Sequence, residues 1–346
     1  MSSRRLPAEW EPQDAILLAW PHKNTGWNEQ LDELEQLYEA LVSVICDYAD
    51  VVIAMPEAQI ESVRSRLGAM DIPLEYVYFY SVETNDTWAR DFGPITIQTE
   101  TGMTLLNFKF NAWGSKYAFE LDDKISRKLY ELGAFPSASI EDIDFILEGG
   151  SIESDGQGTL LTTSSCLLNN NRNLTLTKDQ IEHQLKKIFG ARKINWINAG
   201  YLAGDDTDGH VDVLARICPN NTIIYTACDD EKDEHFSSLK KMEDELKSMT
   251  NADGQTYRLL PLPWPGVHLN DRDERLPASY ANFLIVNEAV LVPIYDALSD
   301  EDALEVISQA FPGYEIFGIP SSSLIERGGS LHCITMQLPE GVLLQA

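Results

Sequence analysis

The chain is poor in three things: paired cysteines, basic residues and long apolar runs. Its 346 residues include only 5 cysteines, at positions 46, 166, 218, 228 and 333, an odd number with no CxxC spacing. That argues against a disulfide framework or a zinc ribbon and points to a reducing, cytoplasmic setting. Lysine and arginine total 26 against 55 aspartates and glutamates, for a formal net charge of −29. A surface of that sign repels phosphate, so nucleic acid is not an expected partner, whereas a small cation is drawn in. No apolar run approaches the roughly 18–20 residues of a membrane-spanning helix. None follows the basic pair Arg4-Arg5 to form a signal peptide. The nearest candidate, residues 15–20, is closed by Pro21 and reads as a core strand. No Walker loop, GxGxxG or HExxH occurs.

No linker or low-complexity tract divides the chain, so one domain over residues 1–346 is expected. What recurs is an order of elements. After Asp91, strand-like runs at 93–98 and 103–110 flank a turn, and Ile125, Leu129 and Leu132 follow at helical spacing. After Glu148 come strands at 151–153 and 159–163, a helix opened by a Thr177/Gln180 capping box, and a strand at 193–197. After His210 come strands at 211–217 and 222–227, a helix at 232–249 and a strand at 257–262. From Asn282 the order repeats as 283–286, 290–295, a helix at 301–310 and a strand at 314–319. The fifth unit is split: 332–337 pairs with 15–19, followed by a helix at 33–45, a strand at 51–55, a second helix at 60–67 and a strand at 74–80. Five ββαβ-type units predict an α/β fold of the pseudo-symmetric, five-bladed propeller kind. A generic α/β domain without true repetition is the alternative.

Polar clusters head most units, at 85–94, 147–151, 204–212 and 327–335. Cys333 follows Gly328-Gly329, which leave room for a substrate. A catalytic thiol needs a histidine or cation beside it. His210 is the better partner, because Asp212 two residues on shares its face if the segment is a strand. His332 then points the other way and reads as structural. Asp91, Glu148 and Asp212 head three different units. Three acids beside a thiol repel one another unless a cation lies among them. Guanidinium is such a cation, planar and forked to match carboxylates, so the set suits attack on a guanidinium carbon. An EF-hand reading of 204–215 fails at Gly204 and Ala215. Metal ligation by His210, Asp212 and Cys333 lacks any supporting pair, so no metal is expected.

At these residues the chain resembles the agmatine deiminase and bacterial peptidyl-arginine deiminase family of the guanidino-modifying (pentein) superfamily. The likeness runs nearly end to end, through Pro7-Ala-Glu-Trp-Glu-Pro12, Ala19-Trp-Pro-His22, Thr87-Trp-Ala-Arg-Asp91, Phe110-Asn-Ala-Trp-Gly114, Leu147-Glu-Gly-Gly-Ser151, Asp205-Asp-Thr-Asp-Gly-His-Val-Asp212, Ser279-Tyr-Ala-Asn-Phe283 and Gly328-Gly-Ser-Leu-His-Cys-Ile-Thr335. It implies the five-bladed propeller, no cofactor, and agmatine hydrolysis to N-carbamoylputrescine and ammonia within polyamine synthesis. Cys333 would be the nucleophile and His210 the acid and base. Asp91 and Asp212 would grip the guanidinium, and Glu148 would hold the cation or orient His210. Asn282 matches a position near the thiol. Asp206 would meet the distal amine between Trp88 and Trp113. The family often has Asn where this chain has Asp208, and Met where it has Ala89. An arginyl peptide as substrate, and a non-catalytic cation-binding protein, are the competing readings. A homo-oligomer is compatible with all of them.

Overall fold

The apolar runs of this sequence are short and bounded by turn residues, and each becomes one strand of a small sheet. The computed structural model describes residues 4–343. In chain order the strands are β1 (Gln13–Ala19), β2 (Asp50–Met55), β3 (Val77–Ser81), β4 (Ile95–Thr99), β5 (Gly102–Lys109), β6 (Ser139–Ile146), β7 (Ile152–Ser154) and β8 (Thr159–Thr163). Then follow β9 (Lys193–Ile197), β10 (Ala215–Cys218), β11 (Thr222–Thr226), β12 (Arg258–Leu262), β13 (Leu284–Val286), β14 (Ala289–Ile294), β15 (Glu315–Pro320) and β16 (Thr335–Pro339). They form five small sheets, ordered β16-β1-β2-β3, β4-β5-β6, β7-β8-β9, β10-β11-β12 and β13-β14-β15. Each sheet opens with an antiparallel pair and adds its next strand in parallel. A parallel addition needs a crossover, which is where the helices fall.

The described residues make two compact units, 11–149 with 333–343 and 4–10 with 150–332. In the first unit, β16 pairs with β1 across the two chain ends, setting Leu17 against Met336. The helix Leu31–Ile45 buries Leu34, Leu37, Tyr38, Leu41, Val42 and Ile45, the one-sided stripe its sequence spacing implies. β6 is a strand the sequence pattern does not announce. It exposes Ser139, Glu141, Asp142 and Asp144, so it lacks the apolar alternation that marks a half-buried strand. Leu132, at the C-terminal cap of the helix Ile125–Glu131, is exposed and outside that helix's apolar stripe. Residues 332–334 precede β16 as a turn, so Cys333 stands before the strand and not on it.

In the second unit the helix Lys178–Phe189 starts as expected. Thr177 accepts from the Gln180 amide, Gln180 returns the bond, and Gly190 ends the helix at φ 71°. Residues Val211–Val213, expected as strand, form a single 3-10 turn, and β10 begins only at Ala215. One core of this unit gathers Phe283, Ile285, Val290, Val292 and Phe311, and another Val211, Ile217, Ile223 and Met242. Among the described residues no helix is long and apolar enough to cross a membrane.

Beside these cores lies a fully buried arginine. A guanidinium in the interior must find acceptors or lose its solvation uncompensated. Arg216 meets Glu9 Oε2 through Nη2 at 2.6 Å and Glu153 Oε1 through Nε at 2.6 Å. Its Nη1 donates to the carbonyls of Ala281 and Phe283, and its plane lies 4.5 Å from the Phe283 ring centroid. The remaining carboxylate oxygens accept main-chain amides, Glu153 from Ile217 at 3.0 Å and Glu9 from Ile285 at 2.8 Å. Thus Glu9 fastens the segment 4–10 to β10 and to the start of β13. Arg216→Met keeps volume but strands two buried carboxylates. It should lower unfolding free energy by about 3–5 kcal/mol, read from the urea midpoint.

Candidate active site

In the unit of residues 11–149 and 333–343, the acid at 91 sits on a one-turn helix, Ala89–Phe92, and is buried. Trp113 Nε1 donates to Asp91 Oδ2 at 3.0 Å, which fixes the carboxylate's direction. The tryptophan is itself held in an uncommon backbone. Ala112, Trp113, Gly114 and Ser115 all have positive φ, between 47° and 100°. The Asn111 side chain stabilises the turn by accepting from the Gly114 amide at 3.0 Å, and Phe110 meets Trp113 edge to face at 5.3 Å. Non-glycine residues rarely adopt such angles, so the run is strain retained for placing a side chain.

Arg90 links the acid to the thiol. Its amide donates to the Cys333 carbonyl at 3.1 Å. Its guanidinium donates to Gln337 and to Met336 Sδ of β16, which anchors the Asp91 helix to that strand. Gly149 packs on the other side of the same residue: a Cβ there would lie 2.2 Å from the Arg90 carbonyl oxygen. Only glycine allows that approach, and it carries Glu148, which is fully buried, alongside. Asp91, Glu148 and Cys333 are therefore gathered around one backbone residue. Trp88 is buried and packs against Trp27, the rings tilted and their centroids 5.7 Å apart. Trp27 in turn donates to Asp86 and Thr87 at 3.0 and 3.2 Å. Asp122 accepts the Asn85 amide at 2.6 Å, shaping the loop that leads to Asp91. Burial pushes the Asp122 carboxyl up to about 8, although the Asn85 amide opposes the rise.

The unit of residues 4–10 and 150–332 holds the remaining expected residues. Its 204–210 loop is organised by Asp205, whose oxygens accept the Thr207 amide and hydroxyl and the Gly209 amide at 2.6–3.0 Å. Burial pushes this carboxyl up, against the Thr207 bonds and the His210 charge. Asp208 has φ 70° and pairs with Arg172 Nη1 at 2.7 Å. The acid standing where the family often has Asn is therefore neutralised by a buried arginine. Asp206 is half-buried, and a Cβ on Gly328 would lie 3.4 Å from its Oδ1. That places the carboxylate against the Gly328-Gly329 segment. Arg327 beside it is exposed.

His210 and Asp212 are both fully buried, but they are not neighbours along a strand. His210 precedes the 3-10 turn that contains Asp212, so the shared-face argument does not apply. Asp212 Oδ2 instead meets His332 Nδ1 at 2.7 Å. Burial alone would raise the Asp212 carboxyl. The His332 bond and charge, with His210 and Arg216 behind, hold it below the ordinary carboxylate value. Asn282 ties the two segments together: its side chain donates to the Asp212 carbonyl at 3.5 Å, and its carbonyl accepts the His332 amide at 3.1 Å.

The whole chain has close relatives. The Porphyromonas-type peptidyl-arginine deiminase family profile matches residues 5–339. The chain belongs to this family. It is 33% identical to the agmatine deiminase of Pseudomonas syringae pv. tomato, over 96% of this chain and 95% of that one. Its fold superposes on a C. jejuni agmatine deiminase solved with substrate bound, at TM-score 0.91 and 39% identity, covering 99% and 98% of the two chains. Agmatine deiminase of Enterococcus faecalis follows at TM-score 0.89, 28% identity and 98% and 97% coverage. The five small sheets are thus those of the pentein-type α/β fold, and this family member is a hydrolase acting on C–N bonds.

Asp205, Arg172, Asp122, Trp27 and Glu9 are the structural partners that motif reading did not single out. Each acts through a contact remote in sequence or through a main-chain amide, and only the Asx-turn spacing of Asp205-Asp-Thr advertises itself. Gly149→Ala should cut guanidine hydrolysis by about 10- to 100-fold with an unchanged circular dichroism spectrum, because Asp91, Glu148 and Cys333 share the displaced backbone. Asp122 has a raised folded-state pKa, so its contribution is fully present below its unfolded value near 3.8 and is lost as pH rises through about 8. Asp122→Asn should therefore flatten the fall in melting temperature between pH 5 and about 8.5, measured by calorimetry.

Proposed function

We propose that the protein hydrolyses agmatine to N-carbamoylputrescine and ammonia through a covalent intermediate on Cys333, as one catalytic domain. The observation that carries this reading is the Arg90 bridge, which binds the Asp91 helix to Cys333 within one unit. A buried acid aimed by Trp113 beside a thiol is suited to grip a guanidinium and present its carbon to sulfur. The substrate-bound C. jejuni agmatine deiminase carries a cysteine-to-serine substitution, which supports a thiol-dependent reaction.

In this scheme Asp91 and Asp212 bind the guanidinium nitrogens, and Glu148 balances the remaining positive charge. The Cys333 thiolate adds to the guanidinium carbon, giving a tetrahedral adduct. His210 gives a proton to the departing nitrogen, ammonia leaves, and a thiouronium ester remains. His210 then takes a proton from water, the resulting hydroxide adds to the same carbon, and collapse restores the thiolate and releases the ureido product. The His332 bond and charge hold the Asp212 carboxyl below the ordinary carboxylate value, which favours its gripping, ionised form. Asn282 holds Asp212 and the segment before Cys333 in register.

Agmatine is favoured over an arginyl peptide by the half-buried Asp206 beside Gly328, an anion suited to the distal amine. Trp88 and Trp113 would flank the four-carbon chain. The net charge of −29 favours capture of a dication. N-carbamoylputrescine is a precursor of putrescine, so on this reading the reaction would serve polyamine synthesis, in the cytoplasm that the unpaired cysteines suit.

Ammonia and ureido product should form from agmatine with a kcat/KM well above that for free arginine or a blocked arginyl peptide. Preference for the peptide would replace agmatine with an arginyl chain as substrate while keeping the thiol chemistry. Cys333→Ala should abolish turnover yet still bind agmatine by calorimetry; persistent turnover would remove the thiol from the mechanism. Asp206→Asn should raise the KM for agmatine by about 10-fold and leave a guanidine lacking the terminal amine unchanged.

A further inference from the structure

The segment Pro7-Ala-Glu-Trp-Glu-Pro12 has no part in the reaction just described, yet its Glu9 is buried at the centre of a charged cluster. One oxygen, Glu9 Oε2, is shared: Arg216 Nη2 reaches it at 2.6 Å and His332 Nε2 at 2.8 Å. The other oxygen accepts the Ile285 amide at 2.8 Å. Across the imidazole, Nδ1 lies 2.7 Å from Asp212 Oδ2. The result is an unbroken chain, Glu9–His332–Asp212, with every member buried. Each ring nitrogen of His332 thus faces a carboxylate oxygen, Nε2 that of Glu9 and Nδ1 that of Asp212. The charges facing His332 include Glu9, Asp212 and Glu153, and those facing Asp212 include His332, His210 and Arg216.

Glu9, Glu153 and His332 present ligand atoms within 4.8 Å of one another, a spacing that could hold a metal ion. Arg216 already supplies the cation there, through bonds to both carboxylates. The fixed charge of the guanidinium cannot be titrated away, so Glu9 stays anchored on one side while it aligns the imidazole on the other.

We infer that Glu9 and His332 are positioning residues, a carboxylate–imidazole pair that orients Asp212 for the guanidinium. The inference rests on the deimination reading, in which Asp212 touches substrate. Arg216 holds Glu9, Glu9 fixes the ring, and the ring leaves one Asp212 oxygen engaged and turns the other. Sequence neighbours of the nucleophile and of the N-terminal segment are thereby joined to one substrate-gripping acid. The lowered Asp212 pKa agrees, since the His332 bond and charge act against the rise that burial alone would cause.

The test uses the full chain and its agmatine kinetics from about pH 9 down to the acid limit at which the fold persists. Glu9→Gln keeps the shape and one acceptor but removes the charge. Its KM should rise by about 10-fold with a smaller change in kcat, the pattern of weakened ground-state grip. The acid limb of kcat/KM should move to higher pH. Asp212 acts as a carboxylate, and weakening its partner raises the pKa through which it is lost. A loss uniform across pH, or a KM within about 2-fold of wild type, would overturn the inference. If Glu9→Gln does not fold, His332 carries the same test. In His332→Asn the amide nitrogen replaces Nδ1 and keeps the bond to Asp212, whereas in His332→Gln it replaces Nε2 and keeps only the bond to Glu9. Asn should retain a KM at least about 5-fold lower than Gln; equal values, or the reverse order, would reject the positioning role. Wild-type activity on agmatine with indistinguishable variants would overturn this inference alone. A wild-type protein silent on agmatine, arginine and arginyl peptide would overturn the deimination reading as well.

Discussion

A permanently charged guanidinium in a dry interior leaves the chain little freedom. Arg216 has to be met by anions and carbonyls, and the groups that meet it come from three separate places: Glu9, Glu153 and the segment that carries the Ala281 and Phe283 carbonyls. Removing the guanidinium leaves both acids buried without their cation, a far larger penalty than losing a surface pair. The second oxygens of the two acids extend the constraint to main-chain amides at Ile217 and Ile285. A short N-terminal segment is in this way tied to the strands β7, β10 and β13. Hydrophobic packing alone would permit small slips between such strands; directional, charged contacts do not.

The sequence was most legible where burial has a period. The order of strands and helices, the Thr177 capping box and the pairing of β1 with a C-terminal strand all follow from apolar spacing or cap chemistry. β6 escaped because its Glu141, Asp142 and Asp144 face solvent, leaving no apolar side to count. The candidate site was legible in a different way. Its residue types and their unusual company pointed to a guanidinium, but their local backbone did not follow from any pattern. His210, Asp212 and Cys333 lie in turns, where side-chain direction is set by long-range contacts and not by alternation. Residues 211–213 form a 3-10 turn where the spacing suggested strand, and the hydrogen bond of Asp212 to His332 could not be read from alternation.

The acidic excess has a structural use besides attracting a cation. Asp205 gathers the amides and hydroxyl of its own loop, and Asp122 accepts the amide of Asn85. Asp14 accepts three successive amides, from Gly341, Val342 and Leu343. Carboxylates thus satisfy main-chain donors in segments that have no sheet or helix to do so. Loops built this way can be irregular and still well defined. That suits a site whose groups must converge from separate turns.

The antiparallel pairing of β1 with β16 also imposes an order on assembly. During synthesis β1, β2 and β3 emerge early, while the partner for the outer edge of β1 lies more than 300 residues downstream. That edge stays bare, an open template for stray pairing, until residues 335–339 have left the ribosome. The thiol rides on the same late segment, immediately ahead of β16. Sheet closure and delivery of Cys333 are consequently one event, so a nascent or truncated chain has its first sheet unfinished and its nucleophile absent together.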